Sequence, residues 1–157
     1  STGLRFFTVY GPAGRPDMAY FGFTNKLVKG ETIKIFNYGN CKRDFTYIDD
    51  IVEGIIRLID NPPSNEDGVP HEIYNIGNNS PVKLMEFITT LEKALSNSLG
   101  REVEFKKEFE PMKPGDVPAT YAHTDKLERV TGFKPKTELI DGLQNFTDWY
   151  VDYYNKK

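Results

Sequence analysis

Apolar and polar positions alternate along the chain in short blocks of two different periods. Residues 4–10 (Leu-Arg-Phe-Phe-Thr-Val-Tyr) are dense in aromatic and β-branched side chains and stop at Gly11-Pro12. They predict a strand covered on both faces, the kind found inside a parallel sheet. Residues 18–29 predict a helix with Asp17 as its N-cap and Gly30 as its stop. Residues 33–38 alternate apolar and polar side chains as a half-buried strand does. Over 50–60, Ile51, Val52, Ile55, Ile56 and Ile59 recur at helical spacing and form a broad apolar stripe. A further apolar strand over 72–76 ends at Gly77, and a helix over 83–99 opens near Ser80-Pro81 and closes at Gly100. A weaker strand pattern covers 103–107. Helices are predicted over 125–131 and 139–154, the second with Leu139, Leu143, Phe146, Tyr150 and Tyr153 on one face. Breaker-rich stretches at 61–68 and 110–118 predict loops. Strands alternating with helices indicate an α/β architecture.

A strand that needs neighbours on both sides yet opens the chain points to sequence upstream of Ser1. The expectation is one incomplete unit over 1–157. Composition narrows the field without naming a function: 38% hydrophobic and 27% charged residues describe an ordinary globular protein. The net charge of -3 argues against a nucleic-acid partner. No apolar run approaches the roughly 20 residues a bilayer demands, so no membrane partner is expected. Ser1-Thr2-Gly3-Leu4-Arg5 lacks the layout of a secretory signal. The single cysteine, Cys41, forms no internal disulfide and suits a reducing cytoplasm; it reads as a surface or half-buried thiol.

Three stretches can carry chemistry. Gly11-Pro12-Ala13-Gly14-Arg15-Pro16-Asp17-Met18 follows a strand and leads into a helix. Ligands of open α/β sheets bind beyond strand carboxyl ends, so this loop is either an anion site or a tight connection with a solvated Arg15. In Arg43-Asp44-Phe45-Thr46-Tyr47-Ile48-Asp49-Asp50, Arg43 offers a planar fork to a phosphate. Asp49 and Asp50 resemble catalytic carboxylates, but capping the helix explains them better. Pro114-Gly115-Asp116 either offers a carboxylate to ribose hydroxyls or forms a plain turn. His71 and His123 have no metal-ligand spacing, and no glycine-rich phosphate loop follows a strand.

Taken in order, Arg5-Phe6-Phe7-Thr8-Val9-Tyr10-Gly11-Pro12, then the Arg43–Asp50 stretch, Tyr74-Asn75-Ile76-Gly77 and Pro114-Gly115-Asp116-Val117 resemble the C-terminal half of the extended short-chain dehydrogenase/reductase family. That family includes the NAD-dependent nucleotide-sugar epimerases and dehydratases. Arg15-Pro16-Asp17-Met18-Ala19 after Tyr-Gly-Pro is most similar to the UDP-glucuronate 4-epimerases. The resemblance implies the last strands of a Rossmann-type parallel sheet plus a small substrate-binding α/β subdomain, with the NAD-binding half absent. It implies that Arg43 holds a diphosphate and that Lys34, Ile35 and Phe36 hold uracil through backbone and apolar contacts. By the same resemblance Asp116 binds ribose, while Thr8 and Arg15 meet the sugar carboxylate. Where the family often has an arginine before the Gly-Asp turn, this chain has Lys113. Neither the glycine loop for NAD nor a Tyr-x-x-x-Lys pair is present: Gly22 and Asn25 stand four residues before Lys26 and Lys29. No catalytic residue is therefore expected here. A homodimeric parent taking a UDP-sugar and NAD is implied. The alternatives are another epimerase, a dehydratase, a decarboxylase, or a non-catalytic binding module.

Overall fold

The protein, seen in a computed structural model, is described over residues 1–64 and 68–154; positions 65–67 of the predicted 61–68 loop lie outside that range. The architecture is α/β. Strands β1 (Thr2–Phe6) and β2 (Thr8–Tyr10) precede helix α1 (Ala19–Lys29), strand β3 (Thr32–Ile35) and a 3₁₀ turn (Phe36–Gly39). Strands β4 (Lys42–Arg43) and β5 (Phe45–Tyr47) lead into helix α2 (Ile48–Ile59). Strands β6 (Glu72–Ile76) and β7 (Val82–Lys83) precede helix α3 (Leu84–Leu99). Strand β8 (Lys106–Phe109) and helices α4 (Asp125–Thr131) and α5 (Leu139–Tyr153) complete the chain.

The first predicted strand is two strands, because the backbone changes partner at Phe7. β1 pairs in parallel with β6 and β2 in parallel with β5. At the handover the Phe7 N–H donates to Ile76 C=O at 3.4 Å and the Thr8 N–H to Asp44 C=O at 3.2 Å. Nor is it covered on both faces: no residue of β1 is buried, and Phe6 is 51% exposed. β3 pairs in parallel with β8, and β4 runs antiparallel to β7. The predicted 103–107 strand is shifted toward the C-terminus and becomes β8.

β3 stops at Ile35, three residues earlier than the alternation suggests. Asn37 and Tyr38 both take φ of 51° within the 3₁₀ turn, a left-handed region that ends any strand. α1 starts at Ala19 with no side-chain cap, because the expected cap, Asp17, is turned toward Arg15 instead. Asp49 and Asp50 sit in the first turn of α2 without capping it. Asp50 is buried and accepts the Thr137 N–H at 3.0 Å, tying α2 to the segment before α5. Left-handed Gly30 and Gly100 end α1 and α3 as expected.

Two cores result. The larger one joins α1, α3 and α5 over β2, β3 and β5 through Tyr10, Phe21, Ile35, Phe45, Phe87 and Phe146. Phe45 stacks on Phe87 with ring centroids 4.1 Å apart. The smaller core packs Ile51 and Leu58 of α2 against Tyr74, Ile76 and Leu127. The apolar stripe of α2 is thus only half used, since Val52, Ile56 and Ile59 face outward.

Two glycines test this packing with opposite signs. A Cβ on Gly142 in α5 would lie 2.8 Å from Tyr10 Cε2 in the larger core, whereas one on Gly22 in α1 meets nothing within 4 Å. Gly142→Ala should destabilise by about 1–3 kcal/mol through overpacking. Gly22→Ala should stabilise by about 0.5–1 kcal/mol through helix propensity. Denaturant unfolding of both variants measures the difference.

Candidate functional site

The parallel β2–β5 pair brings Thr8 opposite Phe45, and beside it opens a cavity of about 310 Å³. Thr8, Lys34, Phe36, Arg43 and Asp116 all line it. Four separate stretches of sequence supply them: β2, the end of β3, β4 and the loop before α4. Arg43 reaches it from the short β4, which is fixed between β7 and the 118–120 segment; Lys42 N–H donates to Pro118 C=O at 2.9 Å, and Lys42 C=O accepts the Thr120 N–H at 3.2 Å.

Arg43 is not free within the cavity. One guanidinium nitrogen donates to Asp116 Oδ1 at 2.8 Å and the other to the backbone C=O of Lys42 at 2.9 Å. Lys34 pairs with Glu110 at 2.5 Å, and this neighbour holds its ammonium above the ordinary lysine range. Lys113 lies with its ammonium 3.9 Å over the Phe36 ring. Ile35 has a different place from the one expected: its side chain is fully buried in the larger core and its C=O accepts the Glu110 N–H. Of residues 34–36, only Lys34 in β3 and Phe36 in the 3₁₀ turn line the cavity.

Arg15 stands apart. It lines a neighbouring cavity of about 540 Å³ bounded by Phe6, Phe7 and the loop after β2. The two cavities share Met18 and Tyr20 as a partition. Arg15 donates to both carboxylate oxygens of Asp17, at 3.1 and 3.0 Å, and both side chains are mostly exposed. Burial raises the Tyr20 hydroxyl above the usual tyrosine range, against the opposing pull of the Gly11 backbone and the Arg15 charge. The partition is therefore a neutral phenol at physiological pH.

The sequence pattern misses several wall residues: Phe23, Phe45 and Leu84, and Cys41, which is buried in the cavity lining rather than a surface or half-buried thiol. Phe45 had a signal, its place beside Arg43. Leu84 had none, because its approach depends on the Leu84 N–H bond to Cys41 C=O across distant segments. Among the described residues no group of three or more His, Cys, Asp or Glu is placed to hold a metal, and no helix is long and apolar enough to cross a membrane.

A dinucleotide cradle needs glycines whose open faces admit a pyrophosphate. The glycines after β2 are already filled: a Cβ on Gly11 would lie 2.5 Å from Ile48 Cγ2, and one on Gly14 would lie 2.9 Å from Tyr20 Cζ. The loop therefore does not fit a dinucleotide phosphate.

Residues 1–77 match the NAD dependent epimerase/dehydratase family. The chain is 50% identical over 168 residues to Protein CapI of Staphylococcus aureus, covering 99% of this chain and 48% of that protein. It is 43% identical over 169 residues to a probable UDP-glucuronate 4-epimerase of Rhizobium meliloti, again covering 99% and 48%. The structure of a mutant UDP-glucuronic acid 4-epimerase from Bacillus cereus, bound to UDP-4-deoxy-4-fluoro-glucuronic acid and NAD, is similar with a TM-score of 0.80 at 31% identity. That match covers 98% of this chain and 46% of the other. The chain spans about half the length of the curated relatives it matches.

The Arg43–Asp116 pair is only part-buried, at 23% and 32% side-chain exposure. A pair this accessible contributes at most about 1 kcal/mol to folding. Asp116→Ala should therefore lower the unfolding free energy by no more than that in a denaturant titration. A loss of about 3 kcal/mol, the scale of a broken buried pair, would make the contact structural.

Proposed function

We propose that this chain is the nucleotide-sugar-binding part of a UDP-glucuronate 4-epimerase, whose NAD site and proton-transfer groups lie in sequence beyond these residues. The observation that carries the reading is the convergence of Thr8, Lys34, Phe36, Arg43 and Asp116 on one cavity. An aromatic ring, a carboxylate and a guanidinium line the same cavity, the company a nucleoside diphosphate requires. The similarity to UDP-glucuronate 4-epimerases supports the choice of sugar.

In this reading Phe36 and the Lys34 backbone take the base and Asp116 the ribose. Arg43 grips the diphosphate, exchanging Asp116 for phosphate oxygens without leaving its strand. The sugar then reaches across the Met18–Tyr20 partition, from Thr8 in the first cavity to Arg15 in the second. The whole enzyme would interconvert UDP-glucuronate and UDP-galacturonate through a 4-keto intermediate, using bound NAD. That ketone is a β-keto acid, because the carboxylate sits on the carbon next to C4. Holding the carboxylate out of alignment with the carbonyl π-system suppresses loss of carbon dioxide.

Arg15 must leave Asp17 to do this. The exposed pair is worth about 0–1 kcal/mol, whereas a charge-assisted contact to a desolvated carboxylate is worth roughly 1.5–3 kcal/mol. The exchange runs downhill once the sugar excludes water.

In the full-length enzyme, Arg15→Ala should weaken UDP-glucuronate about ten- to a hundred-fold relative to UDP-glucose. Thr8→Val should act in the same direction more weakly, since it removes a neutral hydrogen bond. Competition between the two UDP-sugars measures both variants, and an equal loss for both sugars makes Arg15 a phosphate or structural residue. The present chain by itself should give no UDP-galacturonate from UDP-glucuronate and NAD; multiple turnovers detected by mass spectrometry would contradict its role as the binding part alone.

A further inference from the structure

We propose that Asp44 is a positioning residue that holds Thr8, Arg43 and Asp116 in register around the nucleotide cavity. The proposal rests on the assignment of that cavity to the nucleotide diphosphate. Asp44 lies between two cavity residues, Arg43 and Phe45, yet is fully buried and takes no part in the lining. Its Oδ2 accepts two backbone N–H groups from segments distant in sequence: Asn79 at 3.0 Å, after β6, and Ala122 at 2.8 Å, before α4. Its own C=O accepts the Thr8 N–H at 3.2 Å. One residue thus ties the start of β2, the β4–β5 junction, the loop after β6 and the segment that follows Asp116.

The convergence has no slack. A Cβ on Gly77 would run into Ala122 Cβ and come within 3.0 Å of Asp44 Oδ2. From Ala122 the chain runs back through Thr120 and Pro118, both bonded to Lys42, to Asp116, which faces Arg43. A shift at residue 122 therefore moves Asp116 against Arg43.

A buried carboxylate is costly unless its oxygens are satisfied, and Asp44 Oδ1 has no partner among the described residues. A neutral side chain would avoid that penalty. What the side chain supplies is one oxygen that accepts two backbone N–H groups at the point where the cavity's segments meet.

The test uses the full-length enzyme and measures UDP affinity, NAD affinity and steady-state kinetics. Asp44→Asn keeps one carbonyl oxygen for both N–H groups, so its UDP affinity should stay within about threefold of wild type. Asp44→Ala should weaken UDP by about tenfold or more. Its KM for the UDP-sugar should rise in proportion, with NAD affinity and kcat at saturation little changed. If Asp44→Ala binds UDP like the wild type, or loses UDP and NAD affinity alike, the inference is overturned. Should Asp44→Ala not fold, Asp44→Glu carries the test: the extra methylene displaces the carboxylate, UDP must weaken while NAD does not, and an unchanged UDP affinity overturns the idea. Arg43→Ala separates the two levels, since unchanged UDP affinity there refutes the diphosphate assignment and leaves the Asp44 contacts as a matter of folding alone.

Discussion

Parallel pairing between Thr8–Tyr10 and Phe45–Tyr47 is the constraint from which the site follows. In a parallel pair both carboxyl ends lie on the same side. The loop carrying Arg15 and the first turn of α2 therefore leave the sheet together, and Ile48 packs beneath Gly11. Thr8 faces Phe45 at the start of the same register, which places it at the mouth that Arg43 reaches from the preceding strand. The pairing exists because the backbone abandons β6 at Phe7 and takes Asp44 as its next acceptor. Without that exchange, residues 2–10 would run on as one strand beside β6, and Thr8 would not meet Arg43.

The aromatic core then limits how the cavity can deform. Tyr10, Phe45 and Phe87 meet edge-on or stacked at centroid distances of 4.1 to 6.3 Å, and close packing of this kind resists displacement by even one methylene. Phe45 belongs to both the core and the cavity wall. The polar groups on that wall are accordingly mounted on a rigid backing, while their own ion pairs, Arg43–Asp116 and Lys34–Glu110, stay accessible enough to exchange partners with a ligand.

Much of this was readable from residue order. Helices over 83–99, 125–131 and 139–154 and the strand at 72–76 all appear within a residue or so of their predicted bounds, because each has a clear apolar pattern and all but the last helix stop at a glycine. Local chemistry singled out Arg15, Arg43 and Asp116, and the family resemblance added Thr8, Lys34, Ile35 and Phe36; five of the seven line one cavity. The misreadings share a cause: side-chain pattern reports burial, not which partner supplies it. Apolar density at 4–10 suggested coverage on both faces, but Phe6 stays half exposed. Alternation at 33–38 hid the left-handed backbone of Asn37 and Tyr38. Asp17 in a capping position was captured by Arg15, two residues away.

Local sequence alone settled the α/β class and the positions of the long helices, since periodicity is carried by neighbours along the chain. It could not say that Asp44 gathers Thr8, Asn79 and Ala122, that Arg43 meets Asp116 across 73 positions, or that Met18 and Tyr20 divide two cavities. Those are relations between segments far apart in sequence. They arise only when strand pairing and close packing fix which backbone N–H groups and which charged side chains share the same few ångströms.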